Sequence, residues 1–429
     1  MKRLFLCLLI ALANQITFSG WTDQVTGFGN VMFQGVSTVN NNVCWACAGH
    51  NPLVLRTSNG GLNWVNVGYF DIDSLFCMSI YAINENVAFV LSGYYDSSNV
   101  YHTFLHRTSN AGQNWTNILS QTTGYFDHLS FKDSLNGFLL GDPVSGRWSF
   151  WKTSDAGVTW DSSGLYFASE GGIASYNRDL EIIGDSIWFG TNIGRIYYSF
   201  DFGNNWSYST VSCPIILTLT LNGNIGFAAE GCVFKTTNAG LNWNSFNLPH
   251  ASVIDYFTHV DDKFWYATID SIYYSSDQGN HFVLDHVAHS FDFYWQISLK
   301  KIDSQIVGWA VGQYGTVSKY TSPIGIKPMS SEIPKEFKLS QNYPNPFNPT
   351  TKIRFEIPLP PLSERGAGGF VRLVIYDLLG HEVATLINEQ LKPGVYEIEW
   401  DVGNFSSGVY FYRLQAGSFS ESKKMLMLK

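Results

Sequence analysis

The sequence predicts an all-β protein in two parts: a seven-bladed β-propeller over residues 21–321 and a small β-sandwich over 337–429. Three observations lead there. An octapeptide, Ser/Thr-x-Asp/Asn-x-Gly-x-x-Trp, recurs six times. Its copies start 37 to 51 residues apart, the length of a four-stranded propeller blade. Between copies lie short apolar runs, broken by many Asn and by the chain's 39 Gly.

The copies begin at Thr57, Thr108, Thr153, Ser199, Thr236 and Ser275. Their defining residues are Asn59, Gly61 and Trp64, then Asn110, Gly112 and Trp115, then Asp155, Gly157 and Trp160. Asp201, Gly203 and Trp206 follow, then Asn238, Gly240 and Trp243. The last copy has Asp277 and Gly279, with Phe282 in place of Trp. In a hairpin turn the Asp or Asn accepts backbone N–H bonds and the Gly supplies a positive φ. The Trp restarts the outer strand. Three of the six copies carry Asn, which suits hydrogen bonding better than metal binding.

Blade one shows the expected strands at 31–39, 43–48, 53–57 and 64–67, with the octapeptide joining the third to the fourth. A seventh unit keeps the lead-in at 315–320 and loses the octapeptide. The segment at 21–25, Trp-Thr-Asp-Gln-Val, reads as an outer strand but precedes blade one. It is expected to complete blade seven, removing a free sheet edge. Arg56, Arg107, Lys152, Tyr198, Lys235, Tyr274 and Lys319 occupy the position before the octapeptide or its lost copy. Their stems are expected to cover a neighbouring strand with the tip in solvent.

The octapeptide turns share one face of the propeller with the turns between first and second strands. The opposite face carries longer, more variable loops, at 93–102, 141–148, 190–195 and 285–294. These hold Tyr94, Tyr95, Arg147, Trp148, Arg195, His286 and His289. Exposed aromatics with a few charges suit a glycan or a protein or peptide ligand, so these seven are the candidate ligand-binding residues.

Formal net charge is −9, unevenly spread. Residues 330–429 carry 11 Lys/Arg and 11 Asp/Glu, leaving the propeller acidic. An acidic body argues against nucleic-acid and anionic-membrane partners. Residues 1–13, or up to 20, have the basic start, apolar run and Ala-Leu-Ala end of a signal peptide, with cleavage expected before Asn14. No later run is apolar enough for a transmembrane helix. Cys44 and Cys47 have CxxC spacing, but without a second metal-ligand pair they read as buried thiols. Cys213 and Cys232 can form a disulfide. No metal site or cofactor is expected.

The octapeptide resembles the Asp box, or bacterial neuraminidase repeat. Residues 21–321, with Gly308-Trp-Ala-Val-Gly-Gln-Tyr-Gly315 as a lead-in, resemble the Asp-box propellers of the photosystem II assembly factor type. That resemblance implies a binding scaffold. Sialidases share the box and clamp their substrate with three arginines on the opposite face. Here only Arg147 and Arg195 lie outside repeating or box-face positions, so the trio is not assembled. Another glycosidase needs a carboxyl pair, for which Asp96, Asp127, Asp142, Glu170 and Glu230 are available. A phosphate loop, a nucleophile elbow and an HExxH are all missing from the sequence.

Residues 322–336 read as a linker. Beyond them, Tyr343-Pro344-Asn345-Pro346-Phe347, the Asp377-Leu-Leu-Gly380 turn, Gly394, Ser407-Gly408 and the ending Lys423-Lys424 resemble the type A sorting domain of the type IX secretion system. That resemblance implies an Ig-like sandwich, a type IX secretion machinery partner for 337–429, and an extracellular or outer-membrane surface location. The expected protein is a secreted or cell-surface binding or adhesion propeller. The alternative is a secreted glycoside hydrolase on a sialidase-like scaffold.

Overall fold

The computed structural model describes residues 20–49, 53–68, 70, 75–176, 180–248, 253–288, 293–302, 305–322, 327–330, 333–359, 369–391, 393–401 and 406–428. The expected signal peptide and His289 lie outside them. Trp21–Ile302 with Ile306–Thr321 form one compact unit; Ser322–Lys429 fall in a second.

The first unit is seven antiparallel sheets, each packed against the next, as the sequence predicts. Blade one consists of Phe33–Thr38, Cys44–Ala48, Leu53–Thr57 and Val65–Asn66, paired in that order. Every seam between blades has its own apolar cluster. Cys44 and Cys47, three apart on one strand, enter different seams, because a strand alternates its faces. Burial raises both the Cys44 and the Cys77 thiol, the latter to about 12, so they are neutral core groups. Cys213 and Cys232 form a disulfide, with Cα atoms 6.1 Å apart.

The six box turns repeat one set of hydrogen bonds. In the first, Thr57 Oγ1 accepts the Gly61 N–H at 2.9 Å and Asn59 Oδ1 accepts the Asn63 N–H at 3.0 Å. In the last, Ser275 accepts from Gly279 and Asp277 from His281, both at 2.9 Å. The residue before the glycine also has positive φ, for example Ala156 at 59° and Phe202 at 54°. The box glycine itself is fixed by packing. A Cβ on Gly157 would overlap the Phe89 ring of the preceding blade, and one on Gly279 the Phe227 ring.

The cations before the boxes differ from expectation at their tips. The Lys235 ammonium lies 5.3 Å from the Phe227 ring centroid but donates to the Gly279 carbonyl at 3.0 Å. Arg107 Nε donates to the Ala156 carbonyl at 3.4 Å, and Lys319 to the Asn41 carbonyl at 2.8 Å. Each tip therefore bonds a turn of the following blade, because that turn lies within its reach.

Blade seven closes as predicted. Trp21–Gln24 pairs with Val317–Thr321, Trp21 opposite Tyr320. In blade one Val65 pairs with Arg56, which sets Trp64 beside Thr57. Trp21 therefore stands where a box tryptophan would, supplied from the other end of the propeller chain. Its indole donates to Asp285 Oδ2 at 2.8 Å, and Trp265 donates to the same oxygen at 3.2 Å. Gln24 accepts from Trp309 at 3.0 Å and donates to the Gly60 carbonyl at 2.9 Å, tying blade seven to blade one.

Blade three departs from expectation. Its described ladder has three strands. The fourth segment is bridged to the third at Lys152–Asp161 and Arg147–Ala168. Those contacts are five residues apart on one side and seven on the other, so the outer segment bulges by two. The turn that bulges is Asp161-Ser-Ser-Gly164: Asp161 accepts the Ser163 N–H at 2.8 Å and Gly164 has φ +73°.

The second unit has two four-stranded sheets around one core that includes Phe347, Ile353, Leu373, Trp400, Tyr412 and Met425. Lys327–Ser330, read as linker, is instead a strand paired with Gly394–Asp401. Phe347 exchanges backbone bonds with Leu426 and Leu428, both at 3.0 Å, and Asn345 Oδ1 accepts the Leu426 N–H. The Tyr-Pro-Asn-Pro-Phe motif thus runs beside the last strand, which carries Lys423 and Lys424. Asp377 accepts the Leu379 and His381 N–H groups and so shapes the turn at Gly380. Gly394 and Gly408 each open a strand.

Candidate functional site

On the face opposite the boxes, the second strand of blade two ends in Tyr94 and Tyr95. The following loop is built on Asp96, whose Oδ1 accepts the Ser98 and Val100 N–H groups and whose Oδ2 lies 2.9 Å from His102 Nε2. Tyr94 stacks on His102 at 5.1 Å and on Phe104 at 5.9 Å. Tyr95 is 46% exposed, and its hydroxyl meets that of Tyr125 on the crossing to blade three. The Tyr101 ring lies 4.0 Å from Tyr125. Three blade-two and blade-three tyrosines therefore form one patch at the rim.

Behind this patch sit two carboxyls. Ser175 donates its hydroxyl to Asp127 at 2.6 Å and its N–H to Asp142 at 3.1 Å. Burial pushes the Asp127 carboxyl well above the usual range, and the nearby Asp142 charge adds to it. Burial also raises Asp142, to about 6. Burial thus favours the neutral form of both carboxyls.

The other candidates scatter. Arg147 opens the third strand of blade three, half-buried beside the bulged segment. Trp148, expected on the exposed face, is not exposed. It is fully buried, 4.9 Å from Phe189 and 5.9 Å from Tyr197, because the strand turns it into the seam with blade four. Arg195 lies across that seam, 2.5 Å from Glu170. His286 is held 3.0 Å from Asp23 and stacks on Trp21 in the closing latch. Of the predicted set, Tyr94 and Tyr95 thus stand together at the end opposite the boxes, with Tyr125 beside them, while Arg147, Arg195 and His286 lie at other seams.

A channel of about 290 Å³ runs between the inner strands. Side chains there bond the backbone of the next blade. Gln296 accepts the Val36 N–H at 2.7 Å, Ser37 the Ala82 N–H at 2.9 Å and Thr218 the Phe257 N–H at 2.9 Å. Thr220 bridges Glu181 at 3.0 Å and His259 at 2.8 Å. Burial raises Glu181 to about 7 and lowers His259 to about 4. Sequence reasoning missed this relay, although a Glu inside the apolar run Leu180-Glu-Ile-Ile183 was its signal.

Residues 341–428 match the family described as secretion system C-terminal sorting domain. No curated protein matches the chain. Among solved structures, the chain is similar to YCF48 bound to a D1 peptide, at 15% identity and TM-score 0.55, covering 71% of this chain and 97% of that one. YCF48 from Cyanidioschyzon merolae matches at 16% and 0.50, covering 70% and 98%. An ancestral GH74 enzyme matches at 12% and 0.53, covering 94% and 63%. At these identities the likeness concerns fold alone. The chain is a β-propeller that carries a type IX secretion C-terminal sorting domain, exported to the cell surface or the extracellular space.

Proposed function

We propose that the propeller is a non-catalytic binding protein whose ligand, a glycan or a protein segment, is held on the face opposite the box turns. The observation that carries this is the rim patch of Tyr95, Tyr101 and Tyr125. It is aromatic, partly exposed and rigid, since each ring is held by another. Such rings supply contact area at small entropic cost. A propeller of similar fold, YCF48, is described with a bound peptide, which supports a protein segment as one ligand class. The sorting domain is proposed to span 337–429, with Phe347 and the final strand as its structural anchor, and to engage the type IX machinery.

A second reading, a glycoside hydrolase, has one observation in its favour. Asp127 and Asp142 are two adjacent acids with raised pKa, the pattern of an acid–base pair. Against it, Asp127 is 6% exposed and already takes the Ser175 hydroxyl, whereas a general acid must reach the glycosidic oxygen. Applying the purified protein to a glycan array, a peptide array and a panel of chromogenic glycosides separates the two. Retention without turnover is expected, and loss of retention in Tyr95→Ala and Tyr125→Ala places the ligand. Turnover abolished by Asp127→Asn would establish the enzyme instead.

A further inference from the structure

The bulge in blade three has a consequence on the side wall of the ring. Displacing the outer segment opens a pocket of about 540 Å³ against the outer strand of blade four. Phe167, Glu170, Arg195, Tyr197, Trp206 and Tyr208 line it. Trp206 belongs to the box end of the blade and Arg195 to the opposite end, so the pocket runs the height of the wall. Phe167 forms its floor, 5.3 Å from Tyr197 and stacked at 5.9 Å on Trp206. Arg195 covers one face of the Tyr208 ring at 4.3 Å, yet Tyr208 is still 48% exposed. Arg195 also donates to Glu170 at 2.5 Å and to the Tyr197 hydroxyl at 3.2 Å.

We propose that this pocket, between the bulged outer segment of blade three and the outer strand of blade four, binds a sugar unit of a neutral oligosaccharide. The apolar C–H face of a pyranose matches the exposed Tyr208 ring, whose face carries negative charge. The guanidinium and carboxylate offer donors and acceptors side by side, the array that adjacent sugar hydroxyls need. The ligand is neutral because Arg195 is already balanced by Glu170 and the chain carries −9 overall. The site is separate from the rim patch and does not depend on it.

The test is calorimetric titration of the full chain with cellohexaose, maltohexaose and mannohexaose, and with hexagalacturonate as the anionic comparator. At least one neutral hexasaccharide is expected to bind at one site. Tyr208→Ala should weaken it about tenfold or more, as loss of an aromatic anchor does. Tyr208→Phe, which keeps the ring, should stay close to wild type. Melting curves of all three variants confirm that they fold. Binding to none of the neutral sugars, or to hexagalacturonate alone, overturns the proposal. So does affinity that falls with Tyr95→Ala and survives Tyr208→Ala, an outcome that returns the ligand to the rim.

Discussion

Six blades finish their outer edge locally, and the seventh does it with the far end of the propeller. In a boxed blade, the turn, its glycine and its tryptophan lie within eight residues of one another. In blade seven, Trp21 must find Tyr320 and Asp285 across most of the chain. The contacts are alike, but the ordering cost is not, since closing a long loop costs more entropy than closing a turn. The closed ring therefore rests on a seam whose two sides are far apart in sequence and whose loss frees a sheet edge. Blade three shows the opposite case, where an irregular outer edge is kept and encloses a pocket.

The largest effect should come from the latch. Trp21 is 6% exposed, and Trp21→Ala should cost about 3–5 kcal/mol, the range for large aromatic truncations. The half-buried box residue Trp243→Ala should cost clearly less. Urea unfolding of the two variants measures the difference, and equal losses would erase the distinction between local and remote closure.

The box glycines come next. Gly157 and Gly164 both have positive φ, +72° and +73°. An Ala at Gly164 meets open space and pays only backbone strain, about 1 kcal/mol. At Gly157 the new methyl also overlaps Phe89, adding roughly 1–3 kcal/mol. Thermal denaturation should rank Gly157→Ala well below Gly164→Ala; equal losses would show that the box glycine answers to φ alone.

A third prediction concerns pH. Glu181 titrates near 7 in the folded state against 4.5 when free. A raised folded pKa gives stability that is complete below about pH 4.5 and lost as pH rises through 7. Asp285, raised to about 6 by burial, acts in the same sense at the latch. The Glu181 contribution to the unfolding free energy should fall by up to about 3 kcal/mol between pH 5 and pH 7, while His259, lowered to about 4, acts in the opposite sense below about pH 6.5. Glu181→Gln should remove that contribution between about pH 5 and 7. An unchanged slope would remove the channel as its source.

The smallest effect belongs to the inter-blade caps. Lys235→Met keeps the stem over Phe227 and loses the bond to the Gly279 carbonyl, at about 1 kcal/mol. A neutral result in urea unfolding would make the stem, not the tip, the conserved feature of that register.

The fold was legible because its information is repeated and local. Each box specifies its own turn through three side chains, and Trp21-Thr-Asp-Gln24 announces an outer strand that lacks a blade. The site was legible only in part. Tyr94 and Tyr95 sit at a strand end, where exposure follows from position. Trp148 misled because composition shows an aromatic near a loop and not which way the strand turns it. The linker reading failed at Lys327–Ser330 because a short edge strand gains its partner, Gly394–Asp401, some seventy residues later.

By itself, then, the chain's order of residues determined the blade count, the turn chemistry, the closing strand and the export module, all properties of short segments or of their repetition. Only tertiary structure decided that Asp127 and Asp142 share Ser175, that Glu181 and His259 meet through Thr220, and that a two-residue bulge opens a wall pocket beside Arg195. Those groupings join different strands, and two of them join different blades. Their distances depend on how neighbouring sheets twist and pack, which no local pattern encodes.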